Sequence, residues 1–146
     1  MTEPDVQQLL IDMVRQHGHG VVATVSPGGL PEAAYVGLVA TDDGVLLFTS
    51  SEDARKMENL RAQPEIAVVV GGDEGASVQV EGEAHVTEGE ERERLAATFL
   101  AEQPRSRADQ PGIALVAVRP RWARLCDTRT TPRTQVQVRL PAEDRS

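Results

Sequence analysis

The stretch "GVVATVSPGGLPEAAYVGLVATDDGVLLFTS", Gly20 to Ser50, decides how the rest of the chain folds. Three runs rich in apolar and β-branched residues, "GVVATVS", "LPEAAYVGLVAT" and "GVLLFTS", are separated by turn chemistry in "SPGGL" and "TDDG". Glycine supplies positive φ at such turns, and Pro and Asp favour turn entry, so two successive hairpins are expected. Upstream, Val6, Leu9, Leu10, Met13 and Val14 fall at helical spacing, which predicts an amphipathic helix over about residues 4–17, stopped by "HGHG". Downstream, "SEDARKMENLRAQ" reads as a helix stopped by Pro64, and "EIAVVVGG" and "ASVQVEGEAHVT" resume strand character around a Gly/Asp/Glu turn.

"EGEERERLAATFLAEQ" has acidic residues in its first turn and Leu95, Phe99 and Leu100 on one stripe, the pattern of a surface helix covering an open end of the sheet. After "PRSRADQPG" come "IALVAVRP", "RWARLCD" and "TQVQVRL", three more strands, and the tail "PAEDRS" (about 141–146) is expected to be poorly ordered. Many short strands joined by tight turns, with few helices, make a mainly β, antiparallel, closed or nearly closed barrel, in one domain over 1–146.

A net charge of -8 and a pI near 4.9 argue against a nucleic-acid or anionic-membrane partner. No run approaches the ~20 apolar residues of a membrane span. The first residues lack the basic start and apolar run of a signal peptide, and Cys126 is the sole cysteine, so a cytoplasmic location is expected. His17, His19 and His85 are not joined by carboxylates or cysteine at ligand spacing, so no metal site is expected. No nucleophile elbow or triad is recognisable.

The one pointed feature is "SSEDARKMENL", Ser50 to Leu60, which contains Lys56, the only lysine. Arg55 and Lys56 stand in the first turn of a helix, where the backbone dipole favours acids over bases. Two readings stay open. Ser50 and Ser51 can cap the helix, with its free N–H groups and the two bases cradling a phosphate. Alternatively, Glu52 and Asp53 pair with the bases on a solvated face.

Beyond this physics, the chain from about Gly20 to Asp127 is similar to the pyridoxamine 5'-phosphate oxidase-like superfamily of flavin-binding split barrels. The resemblance is carried by Ala23-Thr24-Val25, Gly29, Pro31, Phe48-Thr49, Ala54-Arg55-Lys56, Asn59-Leu60 and Pro64, by "VQVEGEAHV" with Gly82, and by "PRWARLCD" with Trp122. It implies an antiparallel split β-barrel that dimerises with itself, with cofactor at the interface and a small-molecule substrate. It further implies that Arg55 and Lys56 grip the phosphate of FMN, that Thr49, Ser50 and Ser51 pass along the cofactor, and that Tyr35, Ser77 and Trp122 lie near it. The activity it implies is that of a flavin-dependent oxidoreductase; some relatives bind the deazaflavin coenzyme instead, which makes a deazaflavin-dependent reductase the second reading, and a flavin carrier or sensor without turnover is a third, from a different class. The chain departs from the vitamin oxidases at Ala34 and Val39, where those enzymes carry further bases. The groups they use near the chain end to hold their substrate are not recoverable either, which leaves Arg124 and Arg129 as the substitutes at hand. A substrate other than the phosphorylated vitamin is therefore expected.

Overall fold

A computed structural model describes residues 2–140, so the tail at 141–146 lies outside the described residues. Helix α1 (Glu3–His17) starts where Thr2 Oγ1 accepts from the Asp5 N–H while the Asp5 carboxylate accepts from the Thr2 N–H. This reciprocal cap satisfies donors that the first turn leaves without partners. The helix ends at Gly18, whose φ of 71° suits glycine and whose N–H bonds the Val14 carbonyl. Val6, Leu10, Ile11, Met13 and Val14 form its buried face.

Eight strands follow, all antiparallel: β1 (His19–Val25), β2 (Pro31–Gly37), β3 (Val39–Ala40), β4 (Leu46–Ser51), β5 (Glu65–Gly71), β6 (Ala76–Val86), β7 (Ile113–Asp127) and β8 (Thr134–Arg139). Helix α2 (Arg55–Ala62) joins β4 to β5, and α3 (Gly89–Glu102) joins β6 to β7. The strands run in the order β2-β1-β5-β6-β7-β4-β3, with β8 also on β7. The sheet curls until β2 meets β4, giving the antiparallel split β-barrel.

Two expected strand assignments change. "LPEAAYVGLVAT" is not one strand: it lets go of β1 at Leu38, whose N–H goes to the Gly18 carbonyl, and re-pairs as β3 with β4. "IALVAVRP" and "RWARLCD" are instead one strand, β7, whose first half pairs β4 and second half β8. Pro120 is tolerated within it because the register shifts there, with Glu81 opposite Trp122 and Gly82 opposite Pro120.

Strand β4 explains its own apolar run. Leu46 and Phe48 point into the barrel core with Leu38, Met57 and Val116, while Leu47 points the other way, to Leu95, Phe99 and Leu115 beneath α3. Successive strand residues face opposite sides, so a strand covered on both must be apolar throughout. α3 thus packs on the outer face of β4 and β7 and not over an open end. The remaining outer face carries an exposed apolar row: Val21 lies between Tyr35 on β2 and Val69 on β5.

Candidate functional site

The site forms where β4 hands over to α2. Ser50 and Ser51 stay in β4 and do not cap the helix: Ser50 Oγ donates to the Ser51 carbonyl (3.0 Å), and Ser51 Oγ to Asp53 (2.7 Å). The N-cap is Ala54, which has no side chain able to cap, and among the described residues no protein acceptor takes the N–H of Arg55 or Lys56. Two donors at the positive end of a helix are left open to an outside anion.

Helix α2 is fixed from below by Asn59, which is buried to 2% exposure. Its amide donates to Thr24 Oγ1 on β1 (2.9 Å) and to Glu32 Oε1 on β2 (2.8 Å). The other oxygen of Glu32 receives Arg55. The Asn59 hydrogen bond chiefly, and Arg55 with it, hold the Glu32 carboxyl below its usual range against the opposing effect of burial. The partner of Arg55 is therefore Glu32 of a neighbouring strand, and neither Glu52 nor Asp53 of the same segment.

Lys56 differs. It is half-buried, makes no ion pair among the described residues, and borders two cavities. The smaller, about 210 Å³, is shared with Glu32, Arg55 and Ala34. The larger, about 440 Å³, opens between Thr49-Ser50-Ser51 of β4 and Tyr35 of β2. Tyr35 is 73% exposed and stacks on His19, ring centroids 5.4 Å apart and planes within 5°.

The far wall of the larger cleft was not singled out by the sequence. It is the loop after α3, where Arg105 and Arg107 line the cavity. The loop is anchored: Ala108 is fully buried, Arg92 donates to its carbonyl (3.2 Å), and Gln103 donates to the Gly18 and Leu38 carbonyls (2.8 and 3.1 Å). A side chain at Gly37 would strike Gln103 at 2.6 Å. The paired arginines of "PRSR" were the available signal, but nothing local shows that they face a cleft.

The structure thus brings Tyr35, Thr49, Ser50, Ser51 and Lys56 to one cleft and Arg55 to the cavity beside it. Trp122 lies elsewhere, on the outer face, in a mainly apolar cavity of about 400 Å³ with Ala23, Ala67 and Gly82, so it does not plug the barrel. Ser77, the second residue of β6, lies opposite Gly71 and Cys126 and borders neither cleft. Of the substitute bases, Arg129 is taken by Asp127 (2.9 Å to each carboxylate oxygen), and Arg124 lies in register with Gln79 and Gln137. Among the described residues, no His, Cys, Asp or Glu group is arranged to hold a metal, and no helix is long and apolar enough to cross a membrane. The cleft offers cations, hydroxyls and an aromatic face, the means to hold a planar anion, and no nucleophile–base pair.

A family model for pyridoxamine 5'-phosphate oxidase matches residues 7–127. General stress protein 26 of Bacillus subtilis (strain 168) is 27% identical over 130 residues, spanning 86% of this chain and 91% of that protein. The crystal structure of General Stress Protein 26 from Bacillus anthracis str. Sterne superposes with a TM-score of 0.68 at 20% identity, over 91% of this chain and 98% of that one. A pyridoxamine 5'-phosphate oxidase-related, FMN-binding protein from Nostoc punctiforme PCC 73102 gives 0.73 at 14% identity, over 97% and 92%. At these identities the two structures speak for the fold.

Proposed function

The chain belongs to the pyridoxamine 5'-phosphate oxidase family, and from that premise we propose that it is an FMN-binding flavoprotein, an oxidoreductase acting on a small molecule other than the phosphorylated vitamin. The observation that carries this reading is Lys56: a cation with no ion pair among the described residues, at the head of α2, beside two open N–H groups, on the border of both cavities. These residues fit a phosphate. A planar ring extending from it along Thr49 and Ser50 would meet Tyr35 in the larger cleft.

When bound, the flavin supplies the hydride or electron chemistry itself. The chain's residues then have three tasks: Lys56 and the N–H groups of Arg55 and Lys56 fix the phosphate, Thr49 and Ser50 the middle of the cofactor, and Tyr35 with His19 the ring. Arg105 and Arg107, on the facing wall, suit an acidic group on the substrate. Ala34 and Val39 bring no charge, which supports a substrate other than the vitamin phosphate. The exposed apolar row of Val21, Tyr35 and Val69 supports a homodimer with cofactor at its interface, and Trp122 and Ser77, on the outer face, would then meet a cofactor held with the second copy. A cytoplasmic location is proposed with it, where the lone thiol of Cys126 stays reduced.

The test is the visible spectrum and extracted cofactor of the purified protein. Oxidised flavin absorption, lost on replacing Lys56 by Ala in a folded protein, is the expected result; a colourless protein that ignores added flavin sinks the proposal. A second reading, the deazaflavin coenzyme in place of FMN, is favoured by one observation: Arg55 is already engaged by Glu32.

A further inference from the structure

Glu32 lies among the residues that would hold the cofactor phosphate. Its side chain is 21% exposed on β2, bound on one oxygen by Asn59 and on the other by Arg55, and it borders the small cavity together with Lys56. The cavity edge therefore holds two cations and one carboxylate. A buried amide fixes that carboxylate, so it is not free to swing away when an anion arrives. Arg55 gives one Nη of its fork to Glu32, and Lys56 is the one charge at this edge with no ion pair among the described residues.

We infer that Glu32 is a specificity-determining residue that sets the charge of the phosphate this site accepts. Pairing with Glu32 lowers the positive charge the site offers, so it narrows the margin by which the site favours the doubly charged terminal monoester of FMN over a singly charged phosphodiester, as in the deazaflavin coenzyme. A phosphomonoester carries about -1.5 to -2 near neutral pH, its second ionisation lying near 6. The second charge of a monoester would face the Glu32 carboxylate without a cation of its own. Held by one Nη, Arg55 offers a phosphate only the rest of its fork, and full bidentate Arg–phosphate pairing is the strong form of that contact.

The inference rests on the reading of Lys56 as a phosphate grip, and the experiment separates the two. Wild type, Glu32→Gln and the double variant Glu32→Gln/Arg55→Gln are titrated with FMN, riboflavin and the deazaflavin coenzyme. Gln keeps a carbonyl oxygen for the Asn59 amide, and thermal melting confirms that each variant is folded. Glu32→Gln is expected to bind FMN about tenfold or more tighter than wild type through the freed guanidinium, while the phosphodiester ligand changes by less than about threefold. Adding Arg55→Gln should return FMN to its wild-type affinity. An FMN-to-phosphodiester ratio that Glu32→Gln leaves unchanged, or lowers, overturns the inference. If FMN still outbinds riboflavin in wild type, the Lys56 grip survives that failure. If FMN and riboflavin bind alike in every variant, or none binds to any of them, both fall.

Discussion

Lys56 occupies a position that helix electrostatics disfavours, and its worth can be separated from stability. Replacing it by Ala removes a cation from the positive end of α2, so the fold should be unchanged or up to about 1 kcal/mol more stable. Affinity for a phosphate-bearing flavin should fall about 10- to 100-fold, the scale of a lost hydrogen bond to a charged group. Fluorescence titration beside a urea melt checks both directions at once; a joint loss of stability and binding would make Lys56 a structural residue. Asn59 predicts the opposite pattern. Asn59→Ala leaves Thr24 Oγ1 and a Glu32 oxygen without their donor, so unfolding free energy should drop by about 1–3 kcal/mol in urea. At this scale the Arg55-Lys56 pair was legible, because bases in a first helical turn are anomalous on their own. Glu32 was not, since it meets Arg55 only across the packing of α2 on β2. Ser50 and Ser51 look like caps in the sequence, but their strand pairs with Ala114 and Ile113 of β7 to its end and moves the cap to Ala54.

At the scale of elements, the β6–β7 ladder depends on one glycine. A Cβ on Gly82 would lie 2.3 Å from the Arg119 carbonyl oxygen and 3.1 Å from Pro120 Cα, backbone atoms that have no rotamer to move aside. Gly82→Ala should therefore cost about 2–3 kcal/mol or more, with a fall in melting temperature as the measurement. The β7–β8 hairpin has a pH signature. Asp127 accepts from the Arg129 side chain and backbone, which holds its carboxyl at about 2 against an ordinary 3.8. A carboxyl depressed in the folded state stabilises fully above its unfolded value, and that stability is lost as pH falls through the folded one. Melting temperature should thus drop between about pH 4 and 2, and Arg129→Gln should flatten that part of the curve only; Glu32 adds to the same acid limb. Hairpins and helices were legible from turn residues and apolar spacing. The break at Leu38 and the continuity of β7 were not, because both depend on which strand lies alongside.

For the whole molecule, the barrel class follows from strand count and turn chemistry, whereas the outer face needed the fold. Val21, Tyr35 and Val69 are far apart in sequence, and only strand register makes them one exposed row, with the Trp122 cavity on the same sheet. A second copy of the chain is the proposed cover. Each copy carries a net charge of -8, so association must bring apolar burial against mutual repulsion. The two terms respond oppositely to simple changes. Raising salt from low ionic strength to about 0.15 M shortens the screening length to about 8 Å and should tighten a dimer held by apolar contact. Val69→Arg lowers the net negative charge yet buries a cation within the apolar row, at its β5 end, so it should split the dimer despite the reduced repulsion. Sedimentation velocity over a concentration series, at low and moderate salt, reads both effects. A wild type that remains monomeric, or a Val69→Arg variant that associates more strongly, would show that this face is not where the chain meets its copy.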